Sequence, residues 1–125
     1  MASKATVSDI KKARVTIELG PEGDREERVL IPSPNAIVNL SMKYDGIAPL
    51  MAAISRLNLQ AMADVIVAGL GLEGREARDM PATVFETGAI DLLKPLSDFA
   101  SILANGGRPL KTEKDDDAKG GDRPL

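Results

Sequence analysis

The chain has 125 residues, a net charge of −3, 2% aromatic residues, and neither His nor Cys. That length supports one domain with a real core and excludes two. The composition excludes the usual zinc and iron–sulfur sites, thiol nucleophiles, Ser/His/Asp triads and histidine-ligated haem, leaving carboxylates, Lys, Tyr44 and hydroxyls as the reactive groups.

The N-terminal stretch "MASKATVSDIKKAR" is basic but has no apolar h-region, and no apolar run approaches the roughly 20 residues that cross a bilayer. The expectation is a soluble cytoplasmic protein with no membrane contact and a flexible segment over 1–12. Lys11, Lys12 and Arg14 form a small basic cluster that reads as a solvated terminus. The acidic balance and scarce aromatics argue against a nucleic-acid partner.

In "ARVTIELGPEGDREERVLIP", Ala13, Val15, Ile17 and Leu19 alternate with Arg14, Thr16 and Glu18, the period of a half-buried strand. The stretch from Gly20 to Asp24 supplies a turn, and Val29 and Ile31 resume the alternation before Pro32. This predicts a β-hairpin over 13–32 with a loop of about five residues or more. Two strands alone are marginal in water, so their apolar face must pack on a later segment of the chain.

Helices are predicted within 33–107. Ser33-Pro34 is a helix start, and Asp45-Gly46 an end. A second helix begins near Ala48-Pro49, with Leu50, Met51, Ile54 and Leu57 near one face, and Asn58 can cap the next. Leu59, Met62, Ala63, Ile66, Val67 and Leu70 then follow helical spacing through "VIVAGLGLEG". That stretch also contains Gly69-x-Gly71-x-x-Gly74, the spacing of a dinucleotide-binding loop, which requires a preceding strand and a packed helix after it. The period favours a helix before the glycines, with Gly71 or Gly74 as its C-terminal cap. "REARDMP" after Gly74 has almost no apolar face and meets Pro81, so no packed helix is expected there, only a short apolar turn at 82–85.

In the last helix Leu92, Leu96, Phe99 and Leu103 line one face with Ile102 beside it, and Asn105-Gly106-Gly107 closes it. Pro95 inside it predicts a bend, or a stop and restart. The charged stretch over 109–125 has no apolar period and reads as a disordered tail. The fold class is α+β: an N-terminal hairpin packed on a bundle of about four helices, in a single globular domain over 13–108.

No cofactor, metal ligand or catalytic residue is expected. Asp45, Asp64, Glu86, Asp91 and Asp98 lie near apolar segments, but nothing in their spacing makes them converge, and solvated helix faces are the ordinary place for such residues. Met is suited to surfaces that grip several partners. Core filling is the ordinary role of Met at helical spacing, but the apolar residues around Met42, Met51, Met62 and Leu70 exceed what a two-stranded hairpin can cover, so those helix faces are expected to supply a partner-binding groove, with self-association left open.

The order is a hairpin ending "RVLIPSPNAI", an apolar helical pair around "IAPLMAAISRLNLQAMADVIVAGLGLEG", and a last helix "AIDLLKPLSDFASILANGG" followed by a charged tail. In layout and hydrophobic texture, over 13–108, it resembles the small tail assembly chaperones of long-tailed phages and related gene transfer agents. The resemblance implies a protein that is not an enzyme. It would coat the tape measure protein, keep its hydrophobic helices soluble in the host cytoplasm, help recruit tail tube subunits, and be absent from the mature virion. Two other readings are a small helix-turn-helix DNA-binding regulator, disfavoured by the lack of a basic recognition helix, and a nucleotide-binding enzyme using Gly69 to Gly74.

Overall fold

Alternating residues in the first strand drive one face of a hairpin into the helical layer. The computed structural model describes residues 13–109, so the flexible segment expected over 1–12 and, apart from Pro109, the tail expected over 109–125 lie outside the described residues. Strands β1 (Val15–Leu19) and β2 (Glu26–Leu30) pair antiparallel around a loop at 20–25. In β1, Ile17 and Leu19 are buried while Thr16 and Glu18 face solvent, as the alternation predicts.

The second strand departs from the expected phase. Val15 lies opposite Leu30, Ile17 opposite Arg28 and Leu19 opposite Glu26, so Leu30 is the buried residue. Val29 sits opposite Thr16 on the outer face, and Ile31 lies beyond the strand. A shift of one residue moves every side chain to the other face, and here the loop sets the register. With only one fully buried side chain in β2, its hydrophobic pattern alone is a weak guide.

Five helices follow among the described residues, one more than about four. Helix α1 (Pro34–Tyr44) begins at Ser33, whose Oγ accepts from the Ala36 N–H at 3.1 Å, and ends at Asp45 in left-handed conformation. Helix α2 covers Ile47–Ser55. Helix α3 (Leu59–Leu70) begins at Asn58, whose Oδ1 accepts from the Ala61 N–H at 3.0 Å, and ends at Gly71, φ 68°. Helix α5 (Ala89–Ala104) runs through Pro95 and buries Leu92, Leu96, Phe99, Ile102 and Leu103.

The additional element is α4 (Gly74–Thr87), which corrects the expectation of an unpacked stretch and a short turn. Its inward residues are half-buried Ala77 and buried Met80, Val84 and Thr87, at helical spacing. Pro81 divides that stripe, so neither half shows an apolar face by itself. The helix continues through the proline because the stripe packs on α3, α5 and β1.

Helix α3 occupies the centre and touches α1, α2, α4, α5 and β2. That explains why Ala61 and Val65 are buried as well as Met62 and Ile66: the helix is covered on more than one side. The hairpin is joined to the helices by polar bonds too. The Gly20 N–H donates to Thr87 Oγ1 at 2.8 Å, and Thr87 Oγ1 donates to the Thr83 carbonyl at 2.7 Å. Arg25 Nη2 donates to the Thr87 carbonyl at 2.9 Å and pairs with Asp91 at 3.3 Å. Loop 20–25 is thereby fastened at both ends to the corner between α4 and α5.

Candidate partner-binding surfaces

The glycine segment is built by packing and capping. Its apolar run is helix α3, so the strand that a dinucleotide loop requires is replaced by a helix. Gly69 is buried between β2 and α5, and its carbonyl accepts the Ile31 N–H at 3.0 Å. Gly71 is the α3 cap, its N–H bonded to the Val67 carbonyl. Gly74, φ 65°, opens α4.

Helices α1 and α3 enclose a groove of about 380 Å³. Ala36, Leu40, Val67, Ala68 and Leu72 supply its apolar surface, while Asn35, Asn39 and Glu73 stand exposed along it. Lys43 and Asp64 form part of its wall, with Nζ and Oδ1 3.1 Å apart. The Tyr44 hydroxyl donates to Asp64 Oδ2, and Gln60 Nε2 donates to Oδ1 at 3.0 Å. Asp64 keeps only 11% of its side chain exposed. Three donors on a largely buried carboxylate make it a tie between the end of α1 and the middle of α3, not a free general base. Burial raises the Tyr44 phenol above the ordinary tyrosine range, and the hydrogen bond and negative charge of Asp64 act in the same direction.

The other carboxylates do not gather. Asp91 pairs with Arg25 and Asp98 with Lys94, while Asp45 and Glu86 are exposed. Among the described residues no group of three or more His, Cys, Asp or Glu is arranged to hold a metal ion, and no helix is long and apolar enough to cross a membrane.

The four residues expected to form a partner groove fall in different environments. Met42 is 78% exposed on α1, and Val38, one turn earlier, is 52% exposed. Met51 and Leu70 are half-buried against the core. Met62 is fully buried in α3 and presents nothing to a partner. Sequence reasoning passed over Phe85 and Ile90, which are 73% and 70% exposed on either side of Gly88. The signal available for them was their position off the stripes that bury Val84 and Leu92.

No protein-family model matches the chain, and no curated protein or solved structure matches it either.

Proposed function

We propose that the protein is a phage tail assembly chaperone whose client is a tape measure protein, held through the outer face of α1 and the adjoining α1–α3 groove. The observation that carries this reading is the exposure of Val38 and Met42, one helical turn apart, on a helix whose other side enters the core through Ala36 and Leu40. An apolar strip beside a groove between two helices suits an amphipathic helix, which presents its own anchors at the same spacing. Met42 can adapt to successive anchors of differing shape, as a long client with many similar helices requires. The layout of hairpin, central apolar helices and final helix supports the same reading through its resemblance to these chaperones.

In this role the protein works in the host cytoplasm, helps bring tail tube subunits to the coated client, and leaves before the particle is finished. Chemistry on the client is not required. The test is co-expression with a tape measure protein of a long-tailed phage. The client should become soluble and co-purify with several copies of this chain. A client equally soluble without it contradicts the proposal.

A further inference from the structure

We propose that the free edge of β1 pairs antiparallel with β1 of a second copy of this chain, joining two hairpins into one sheet with Thr16 on the two-fold axis. The inference does not depend on the tape measure reading.

Two bonds at the ends of the hairpin fix which backbone groups face outward. In an extended strand, alternate residues turn their N–H and C=O to the same side. The Ile31 N–H donates to the Gly69 carbonyl at 3.0 Å, away from β1. Leu30, Arg28 and Glu26 therefore turn toward β1, where they meet Val15, Ile17 and Leu19. Thr16 and Glu18 turn theirs away from β2, as does Gly20, whose N–H donates to Thr87 Oγ1 at 2.8 Å. Among the described residues no hydrogen bond from another element reaches the backbone of Thr16 or Glu18 on that side. Both side chains are exposed, and so is Arg14.

Charges on an open strand edge ordinarily hinder pairing, but those of β1 suit a copy of itself. With Thr16 facing its own copy, Arg14 faces the second copy's Glu18 at both ends, and Val15 faces the second copy's Ile17 on the inner side. Opposite charges and paired threonines across strands favour that register. Within one hairpin Glu18 lies directly opposite Glu27, and neither they nor Arg14 make an ion pair among the described residues. Like charges so placed are destabilising, and the second copy's Arg14 offsets them.

Other registers lack this match. Centring the pair on Ile17 would require the Gly20 N–H that Thr87 holds, and centring it on Glu18 would line up like charges. Centring it on Val15 would match Arg14 with Thr16 and leave Glu18 unmatched within the strand. The β2 edge fares no better: a pair centred on Val29 would require the Ile31 N–H held by Gly69, and one centred on Arg28 or Glu27 would set like charges together. A strand of another protein would have to reproduce the charge order that β1 already carries.

Sedimentation equilibrium of the full chain, from about 10 μM to about 1 mM, should show monomer and dimer exchanging with concentration, because one strand pair is a small interface. Arg14→Glu and Glu18→Arg each set like charges across the axis at both ends and should weaken dimerisation about tenfold or more. Mixed in equal amounts, the two variants should associate with each other, since each then carries the charges that the other lacks. A fluorescent label on one variant reads that heterodimer directly. Val38→Ser/Met42→Ser and Phe85→Ser/Ile90→Ser should dimerise like the parent. All these positions are exposed, and thermal melting verifies that each variant folds. A chain still monomeric at about 1 mM overturns the proposal and leaves the edge to a strand of another protein. So does a dimer that neither charge variant weakens, or a pair of variants that stay apart on mixing.

Discussion

Gly69 lies so close to Leu30 that a Cβ on it would stand 2.8 Å from Leu30 Cδ2 and 3.0 Å from Leu30 Cβ, with Phe99 Cε2 at 3.2 Å. The glycine lets the central helix reach the hairpin and α5 together, and the Ile31 N–H bond to its carbonyl limits any retreat. Gly69→Ala should gain about 1 kcal/mol of helix propensity and lose about 1–3 kcal/mol to overpacking. The net expectation is destabilisation by about 1 kcal/mol in urea unfolding. Gly71→Ala, with open space around it but φ 68°, should cost about 1 kcal/mol through backbone strain alone. Calorimetry with ATP or NAD should show no binding to the parent or to either variant.

The buried and exposed methionines should separate cleanly. Met62→Ala should cost about 2–5 kcal/mol in urea unfolding, because it empties part of a closed core. Met42→Ser should stay within about 0.5 kcal/mol of the parent, because the side chain is largely in water. Similar losses for both would mean that α1 packs differently.

How much of the fold was legible in the sequence depends on the range of the interaction. Ser33, Asn58 and Gly71 mark helix boundaries through bonds within a few residues of themselves, so their roles could be read directly. The phase of β2 could not, because it depends on a loop geometry that places Leu30, not Val29, opposite Val15. Helix α4 was hidden by Pro81 at the middle of its stripe. A periodic pattern also puts Met42 and Met62 in the same class, although only three-dimensional packing decides that one is outside and the other central. The Tyr44–Asp64 and Arg25–Thr87 contacts join residues 20 and 62 positions apart, with no local trace of either.

Tyr44 supplies a prediction in pH. Its phenol is raised in the folded chain, so above the unfolded value of about 10 the unfolded state gives up a proton that the native state retains. The native state then holds more protons, and stability should fall as pH rises from about 10 through the folded value. Below that range the contribution is fully present. Tyr44→Phe should lose about 1 kcal/mol at neutral pH, through the missing donor to Asp64, and should flatten this alkaline slope. Urea midpoints of parent and variant from pH 8 to 11 provide the measurement.

The latch at Thr87 can be cut with little change in shape. Thr87→Val removes the acceptor for the Gly20 N–H and should cost about 1–2 kcal/mol. Limited proteolysis should cleave loop 20–25 faster than in the parent. An unchanged cleavage rate would show that Arg25 alone holds the loop.

In the proposed function the exposed Val38–Met42 strip on α1 keeps a long helical client in solution. Its most direct measurement is the soluble fraction of the tape measure protein co-expressed with the parent chain or with Val38→Ser/Met42→Ser, with equal folding of the two verified by thermal melting. The predicted result is a soluble complex with the parent and an insoluble client with the variant. If the client is equally soluble with both, the strip is not its binding surface; if it is just as soluble with neither chain present, the protein is not its chaperone.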